Sequence, residues 1–358
     1  MQIVEQAEDL ISLRSEWPTL EADFQGPSNH LEWWIAQAQV PEPDTSLCVV
    51  VLRDGGRLVG IAPLLRAHGL VGRLRTINCD DAAGFLYTDE HALARLVDVV
   101  LGLRRAVALP SLVAGSPTDR VLHRRARQAR CLRWSDSYAM GPSIVLDERF
   151  EAQFAPLSSK RRKSMRRALR KAQASGEVSF HVDEVGDDLS GPFQELLRLE
   201  GSGWKGREGT AIAQDIPQRD RIERFISSPR IRDDVRFAWM RIDGRPIAVE
   251  LAVLTDRRMW VIKGGYDEAF SHCSPGLLLE LHMMSWAAQE GLERFELMGR
   301  MEDWKRTFGD GVPLLHTRVY PPTPRGLLAI GLEAVRHGRR GVWAHVRTWW
   351  AARGRSRA

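Results

Sequence analysis

One carboxylate stands in a predicted strand that is otherwise apolar. Residues 247–253 read Ile-Ala-Val-Glu-Leu-Ala-Val, and strand alternation puts Glu250 on the same face as Ala248 and Ala252. These small neighbours leave room for the carboxylate to point into a cleft, where partial burial would suit it to take up a proton as a general base. The alternative is a glutamate that faces solvent from a half-covered sheet.

Two further ionisable residues follow this strand. The imidazole of His272 changes its charge near neutral pH, which suits a general base, although it could equally contact a phosphate or water. Asp267 follows Tyr266 at the end of a predicted strand, where a carboxylate can orient a substrate amine and the tyrosine can contact the substrate. Alternatively, Asp267 only forms the turn ahead of Glu268.

The helix predicted to begin at Pro275 has features of an anion-binding helix start. Ser274 is a favourable N-cap, Pro275 suits the first helical position, and Gly276 lets an anion approach the backbone. The backbone amides at such a helix start, here those up to Leu277, point at the anion, and the helix dipole favours its negative charge. A plain helix start is the alternative, because the segment has one glycine and proline lacks an N–H.

Three more candidates for substrate binding stand out by charge or by their glycine-rich surroundings. Lys263 lies in the predicted strand 258–264 and can neutralise an anionic acceptor, or else is an ordinary edge-strand lysine. Trp204 and Lys205 lie in a loop with three glycines, a density typical of a mobile loop that binds an acceptor. A structural turn that is filled by the tryptophan is the alternative.

Two turns divide the chain into similar halves. Asp54-Gly55-Gly56 and Asp243-Gly244 each separate two apolar runs, which is a strong hairpin signal. In each half, the pattern predicts a strand and two helices before the hairpin, and strands alternating with helices after it. The predicted helices include 7–23 and 302–308. Hairpins exclude a fully parallel sheet, so we expect an α/β fold with mixed, largely antiparallel sheets.

Positive charge is concentrated in two segments. Residues 158–171 contain eight Lys/Arg and no acid, and are predicted to form a helix with a wide basic face that can hold phosphate groups; a solvated helix that links two domains is the alternative. Residues 323–358 contain eight arginines, one glutamate and Trp343, Trp349 and Trp350. This tail can rest on an anionic membrane surface, or else is a packed helix with a disordered arginine-rich end.

Four segments of the second half carry a family resemblance, and together they span about 110 residues. They are 199–206, 242–248, 266–276 and 299–305. In this order they resemble the GNAT-like acyltransferase family often labelled CelD or cellulose-biosynthesis acetyltransferase. The repeated element order is similar to the tandem GNAT arrangement of the Fem aminoacyl transferases. The first half looks like a degenerate partner repeat.

The resemblance implies that an acyl group moves from acyl-CoA to a small-molecule or glycan-linked amine by direct attack, with no permanently bound cofactor and no metal. The helix start at 274–277 would then hold the pyrophosphate, although the usual Gln/Arg-x-x-Gly-x-Gly/Ala pattern is absent. In Fem relatives the donor is an aminoacyl-tRNA, which the basic segment 158–171 would carry. The matching Fem segment supports a lysine that faces donor and acceptor, which gives Lys305 a role in stabilising an oxyanion or holding a phosphate.

The predicted organisation has four parts: a degenerate GNAT-like domain over 1–150, a basic linker helix over 151–177, a GNAT-like acyltransferase domain over 178–322, and a basic helix or tail over 323–358. The four cysteines are far apart and no apolar run reaches 18 residues, which argues against a disulfide framework, a structural zinc site and a spanning helix.

The N-terminus has no signal-peptide pattern, so we expect a cytoplasmic protein whose tail contacts the inner membrane face. Two fused GNAT units can mimic a dimer, so both a monomer and a homodimer are compatible with the sequence. A non-catalytic scaffold that binds an anionic glycan or membrane surface is the remaining alternative to a transferase.

Overall fold

Residues 1–23, 26–76, 82, 84–152, 154–186 and 188–337 are described by the computed structural model, with the backbone alone for 204, 205 and 334–337. They form two units. Unit 1 comprises Met1–Ala139 together with the segment that starts at Pro313, and unit 2 comprises Met140–Val312.

The first part of unit 1 alternates short strands with helices. In chain order its elements are β1 (Gln2–Val4), α1 (Ala7–Ile11), β2 (Glu21–Ala22), α2 (Leu31–Gln39), β3 (Thr45–Leu47), β4 (Val49–Asp54), β5 (Arg57–Ala62), β6 (Leu65–Ala67), β7 (Leu74–Arg75), β8 (Leu86–Tyr87), α3 (Glu90–Gly102), β9 (Val107–Val113), α4 (Pro117–Gln128) and β10 (Leu132–Met140).

Unit 2 begins with a strand and the basic helix, and the last strand and helix of the described chain return to unit 1. The elements of unit 2 are β11 (Ser143–Val145), α5 (Ser159–Gln173), β12 (Val178–Glu184), α6 (Ser190–Gly201), α7 (Trp204–Glu208), α8 (Ile216–Ile226), β13 (Val235–Ile242), β14 (Arg245–Thr255), β15 (Arg258–Tyr266), α9 (Pro275–Gln289) and β16 (Arg294–Leu297). The returning elements are β17 (Val312–Tyr320) and α10 (Pro324–His337).

Both predicted hairpins are present. Strands β4 and β5 pair antiparallel, as do β13 and β14. Their turns have the positive φ angles of tight hairpin turns, at Gly55 (54°) and Gly56 (87°) in one and at Asp243 (49°) and Gly244 (76°) in the other. The mixed α/β fold with largely antiparallel sheets is therefore confirmed.

Unit 2 is built on one six-stranded sheet in the order β11-β16-β15-β14-β13-β12. Only β15 and β16 run parallel. Apolar residues of α5 and α9, among them Met165 and Leu278, form one core cluster with the strand residues Ala238, Ala248 and Ala252. Helices α5 and α9 therefore cover the sheet face that carries these alanines.

The strands are exchanged between the two halves of the chain. In unit 1, β17 lies between β10 and β9 in a sheet of order β10-β17-β9-β7-β6-β3, beside a five-stranded sheet of order β1-β4-β5-β8-β2. In unit 2, β11 pairs with β16. The unit boundaries therefore differ from those expected at 150 and 178, because β11 and α5 lie in unit 2 and β17 lies in unit 1.

Two predicted helices are shorter than expected. Residues 7–23 give α1, which already ends at Ile11, then a 3-10 turn at Trp17–Thr19 that contains Pro18, and strand β2. Residues 302–308 contain only a 3-10 turn, Lys305–Thr307. The Lys305 side chain there bonds to the preceding loop, as described below.

Candidate functional site

Strands β15 and β16 separate part of the way along unit 2. Their parallel pairing runs from Arg258–Arg294 to Val261–Leu297, while β15 continues for five more residues along β14. Beyond Leu297 the chain follows the segment just before β11, where Gly141 N donates a hydrogen bond to Gly299 O over 2.8 Å. A gap therefore opens beside the second half of β15, between it and residues 298–300.

The ammonium group of Lys305 lies on the gap side of residues 298–300. Its Nζ donates to the carbonyl oxygens of Met298 (2.6 Å) and Arg300 (3.0 Å). The carbonyl of Gly299 between them instead accepts the bond from Gly141 N, so the ammonium uses the two neighbouring carbonyls. The Lys305 side chain is buried, with 6% exposure. A positive charge therefore stands where the two strands diverge.

The carboxylate of Glu250 lies against the separated half of β15. Glu250 is directly opposite Gly264 in the strand register and is half-buried. A Cβ atom at residue 264 would collide with the Glu250 carboxyl group, so the glycine makes room for it. Glu250 alternates with Ala248 and Ala252, which pack in the core beneath α9. Its carboxylate is therefore on the α9 side of the sheet.

A second carboxyl group, that of Glu280, lies close to Glu250 and Lys305. It comes from α9, is 4% exposed, and its Oε2 atom has no hydrogen-bond partner among the described residues. Burial raises the pKa of Glu280 well above its usual range, the negative charge of Glu250 raises it further, and Lys305 opposes the shift. Two carboxyl groups and one ammonium group thus interact at the gap.

Sequence reasoning missed Glu280. The signal that could have found it is its position as the one charged residue in α9, a helix whose sequence is otherwise mostly apolar. A lone acid in a buried helix needs a partner or a proton, and either makes it a candidate for a functional site.

The start of α9 is open: Ser274 occupies the expected N-cap position and Pro275 the first helical position, but the serine side chain does not cap the helix. Ser274 has a left-handed backbone (φ 51°, ψ 53°) and its side chain makes no capping bond, because caps reach their amide from an extended backbone. The first helical bond runs from Leu278 N to Ser274 O (3.1 Å), so the amides of Gly276 and Leu277 precede it. The first turn holds no acid. It can therefore accept an anion.

Helix α5 brings positive charge to this helix start. Lys171 Nζ donates to the carbonyl of His272 over 3.1 Å, just before α9. Seven of the eight basic side chains on and beside α5 are exposed, Arg162 is half-buried, and none forms an ion pair within the described residues. The eight are Lys160, Arg161, Arg162, Lys163, Arg166, Arg167, Arg170 and Lys171.

The other sequence candidates have different surroundings. Asp267 forms an ion pair with Arg245 (2.6 Å) and accepts a bond from Ala269 N (3.0 Å), so its charge is neutralised and it shapes the turn. His272 is exposed at the end of a 3-10 turn. Lys263 is adjacent to Gly264 in β15 and therefore projects from the opposite sheet face to Glu250.

Two candidates line other parts of the neighbourhood. The ring of Tyr266 lies beside the helix start, since a Cβ at Gly276 would be 3.5 Å from Tyr266 Cδ1. Trp204 and Lys205 begin the short helix α7, and their side chains lie outside the described residues. The structure thus brings together Glu250 and Lys305 at the gap, and Tyr266 with residues 274–277 at the helix start.

The corresponding helix start in unit 1 is closed. Helix α3 follows the first hairpin as α9 follows the second, and its N-cap Asp89 accepts a bond from Ala92 N over 2.8 Å. This backbone bond lowers the pKa of Asp89, so the carboxylate stays charged at the helix start. A helix start that is capped and negatively charged repels a further anion. Of these two corresponding helices, α9 has the start that can bind an anion, and α3 does not.

The described residues contain neither a metal-binding cluster nor a helix that could span a membrane. No group of three or more His, Cys, Asp or Glu side chains there could hold a metal ion. Nor does any helix in the described ranges have both the length and the apolar character needed to cross a bilayer.

Residues 159–306 match the model of the acetyltransferase (GNAT) domain. A search of curated protein sequences returned no match. Among solved structures, the chain is similar to FemX (10% identity, TM-score 0.56, 92% of this chain and 99% of FemX). It is also similar to the C-terminal domain of a putative lysylphosphatidylglycerol synthetase from Agrobacterium fabrum (11%, 0.55, 92% and 97%) and to a tandem GNAT protein from the clavulanic acid biosynthesis pathway (14%, 0.50, 90% and 99%).

These matches establish a tandem GNAT-like fold and support an acyltransferase. At 10–14% identity the structural likeness concerns the fold alone. The domain match begins at the first residue of α5 and includes Glu250, Glu280 and Lys305. The basic helix is therefore part of the matched domain, where the sequence predicted a linker.

Proposed function

We propose that the protein is an N-acyltransferase that moves an acyl group from acyl-CoA to an amine by direct attack. The observation that carries this proposal is the divergence of β15 and β16 beyond Val261–Leu297, with Lys305 and Glu250 beside the gap. A strand pair that separates in this way accepts an extended chain such as the pantetheine arm of CoA. The acceptor is a small-molecule or glycan-linked amine.

The chemistry divides among the residues at the gap. The amine nitrogen bonds to the acyl carbon, and Glu250 takes the proton that the nitrogen loses. The ammonium of Lys305 stabilises the oxyanion of the tetrahedral intermediate. The carbon–sulfur bond then breaks, and the released thiolate takes a proton from solvent. No covalent intermediate with the protein is needed.

The donor's phosphates are proposed to bind at the start of α9. The amides of Gly276 and Leu277, the absence of an acid in the first turn of α9 and the cations of α5 all support this assignment. The resemblance to the CelD-like group, which rests on four sequence segments, agrees with an acyl-CoA donor, and membership of that group is part of the proposal.

A thermal-shift assay with CoA and acyl-CoAs tests the donor. A ligand at 100 times its Kd stabilises the protein by about 2.7 kcal/mol, so the unfolding midpoint should rise by several degrees. Gly276→Val should abolish this rise, because the added side chain covers the amides at the helix start. The matched control is Gly191→Val, at the second position of α6, where a Cβ meets nothing within 4 Å.

The control variant should respond to CoA as the wild-type protein does. If no CoA compound raises the midpoint of the wild-type protein, or if both variants respond equally, the proposed donor site is wrong.

A second donor, an aminoacyl-tRNA, is favoured by one observation. Eight cations on and beside α5 have no ion-pair partner within the described residues, which is more positive charge than one CoA molecule requires. A polyanion such as tRNA would neutralise many of them at once. In that case the same gap would receive the aminoacyl end of the tRNA.

Salt dependence separates the two donors. Binding to tRNA should weaken steeply with added salt, with a log–log slope of about −0.7 to −0.9 per phosphate neutralised. Arg166→Glu with Arg167→Glu should reduce that slope, while the exposed unit 1 pair Arg57→Glu with Arg127→Glu should not. No measurable tRNA binding at low salt would leave acyl-CoA as the donor.

A further inference from the structure

Helix α9 runs back along β15, from the end of the strand to its start. Near its first turn, a Cβ atom at Gly276 would lie 3.5 Å from Cδ1 of Tyr266, the last residue of β15. After the helix the chain enters β16 at Arg294, which is paired with Arg258, the first residue of β15. The helix therefore descends over the strand as residue numbers rise in α9 and fall in β15.

This course places Glu280 over the middle of the separated half of β15. Gly276 and Glu280 are four residues apart and so share a helix face. One such turn covers about 6 Å, and the two residues from Tyr266 back to Gly264 cover about 6.6 Å. Glu280 is therefore level with Gly264, whose α9 side is occupied by the carboxylate of Glu250.

The carboxyl group of Glu280 must hold a proton in this position. It is 4% exposed, and its Oε2 atom accepts no hydrogen bond from the described residues. A buried carboxylate without a partner is costly, and two neighbouring carboxyl groups do not readily ionise together. Glu250 is only half-buried and is therefore the one that carries the charge. The neutral Glu280 has an O–H group and can donate a hydrogen bond.

Few charged groups act on Glu280. Glu250 of β14 and Lys305 are the two whose charges change its pKa. His181 of β12 acts instead on His282 of α9, and the charged residues of the 3-10 turn at 148–151, which also packs on α9, are exposed. The remaining neighbours of α9 contribute apolar side chains to the shared core, among them Met165 of α5 and Ala238 and Met240 of β13.

An oxyanion at the gap needs more donors than Lys305 can supply. An ammonium group has three N–H bonds, and two of these donate to the carbonyls of Met298 and Arg300. At most one is left for a substrate oxygen, whereas an oxyanion accepts several hydrogen bonds. The neutral carboxyl group nearest to Lys305 and Glu250 is that of Glu280, and it has a proton to donate.

We propose that Glu280 is the second donor of the oxyanion site: its O–H bonds to the thioester carbonyl oxygen of acyl-CoA, beside Lys305, and to the oxyanion that forms there. The role of Glu280 rests on the proposed function, because it needs an acyl-CoA in the gap. Glu280 keeps its proton throughout. The amine proton still passes to Glu250, and the thiolate still takes a proton from solvent.

Infrared spectroscopy tests this role in the full chain, with acetyl-CoA and longer acyl-CoAs that carry carbon-13 at the thioester carbonyl. Binding to the wild-type protein at pH 7 should lower the C=O stretching frequency, because two donors polarise the bond. Glu280→Met removes one donor and should lose about half of this shift, while the thermal shift with acyl-CoA persists. Glu280→Gln keeps an N–H donor and should retain the infrared shift.

Ser285→Ala is the matched control. It removes another buried polar group of α9, a hydroxyl that donates to Glu151 O over 2.8 Å, and it should retain the full infrared shift. A pH series then separates donation from packing. In the wild-type protein the shift should decline as the pH rises past the raised pKa of Glu280, because the carboxylate has no proton to donate. In Glu280→Gln that decline should be absent.

Two results would overturn the role of Glu280 and leave acyl-CoA as the donor. One is an equal infrared shift in Glu280→Met and Ser285→Ala. The other is the same pH dependence in the wild-type protein and Glu280→Gln, a comparison that holds even if Glu280→Met does not fold. A wild-type protein that shows neither a bound C=O signal nor a thermal shift with any acyl-CoA would instead overturn the proposed function, and the role of Glu280 with it.

Discussion

Two adjacent glycines of β15 allow close approach from opposite sheet faces. Gly264 leaves room for the carboxylate of Glu250 on the α9 side. A Cβ at Gly265 would lie 2.5 Å from the Cα of Glu200, a residue of α6. One glycine thus sets the position of a side chain, and the other sets the distance between a strand and a helix. Substitutions at Gly264 and Gly265 can therefore distinguish an effect on catalysis from an effect on stability.

Glu250→Gln should lower kcat by about 10²–10⁴-fold, because the amide cannot take a proton from the attacking amine. CoA binding, followed by thermal shift, should be unchanged. Glu184→Gln is the matched control, since this strand glutamate is 83% exposed. A Glu250→Gln enzyme with normal kcat would remove Glu250 from the mechanism.

Gly264→Ala should reproduce much of this loss of activity while the protein stays folded, since the new methyl group displaces only the end of a flexible side chain. Gly265→Ala should instead destabilise the protein by about 1–3 kcal/mol, because the backbone of α6 must move. Urea unfolding and turnover measured on both variants check this. The reverse pattern would contradict the packing described for β15.

The buried carboxyl of Glu280 predicts a pH-dependent stability. Folding raises its pKa above the ordinary value of 4.5, so the folded state holds a proton that the unfolded chain releases as pH rises. The free energy of unfolding should therefore fall through this window, by at most about 1.4 kcal/mol per pH unit. Glu280→Gln removes this slope, so its stability relative to wild type should increase with pH. Parallel curves from pH 5 to 8 would contradict this.

At the residue scale, the sequence predicted Glu250 and Lys305 but not their neighbour Glu280. Glu250 interrupts a clear period of two, and Lys305 lies in a segment that carries the family resemblance. Glu280 comes near them only because α9 packs on the face of the sheet that carries Glu250. That packing depends on contacts between residues about 30 apart, which periodicity within one element does not report.

At the scale of elements, the gap depends on where residues 298–300 make their hydrogen bonds. One edge of this segment bonds to the chain just before β11, through Gly141 and an isolated bridge between Met140 and Arg300. On the other edge, the carbonyls of Met298 and Arg300 accept hydrogen bonds from the ammonium of Lys305. Lys305 therefore takes the place of a strand partner as well as supplying charge.

Lys305→Met should cost about 1–3 kcal/mol of stability, because two backbone carbonyls lose their buried donor and Glu280 loses a nearby cation. It should also lower turnover. Lys160→Met, an exposed position of α5, serves as the control for a lost charge. Chemical denaturation checks this prediction, and an unfolding midpoint equal to that of the control would show that the carbonyls find other donors.

The sequence predicted elements best where turn chemistry marked them. Both hairpins follow from Asp-Gly turns, since those residues accept the positive φ angles observed. The helix expected over 302–308 is a single 3-10 turn, and the Lys305 side chain bonds to a carbonyl of the preceding loop, a contact that helical periodicity does not report. The Ser274 side chain does not cap α9, because the backbone of Ser274 is in the left-handed conformation at the end of the 3-10 turn.

At the scale of the molecule, the chain returns after unit 2 to complete a sheet of unit 1, and no local sequence signal predicts this return. Strand β17 is central in the second sheet of unit 1, between β10 and β9. Unit 2 contains all six strands of its own sheet, from β11 to β16. The residue pattern of β17 is typical of any half-buried strand and does not indicate which sheet the strand joins. The sequence therefore predicted it within the adjacent domain, 178–322.

A fragment of residues 140–312 should therefore fold alone and show the thermal shift with CoA of the full chain. A fragment of residues 1–139 should lack a cooperative transition, because its sheet is interrupted at the position of β17. Adding residues 313–337 as a separate peptide should restore the transition. Circular dichroism melting of the three samples checks this, and a cooperative 1–139 fragment would show that β17 is dispensable.

The position of β17 also has a consequence for synthesis. Strand β10 ends at Met140, and β17 begins at Val312, 172 residues later. At about 5–20 residues per second, a ribosome needs roughly 10–35 s to make that interval. Unit 1 is thus the first to leave the ribosome and the last to be completed. During that interval, the edges of β9 and β10 that pair with β17 lack their hydrogen-bond partner, because β17 has not yet been translated. We expect a nascent-chain chaperone to bind these unpaired strand edges, because exposed edges otherwise pair with other chains.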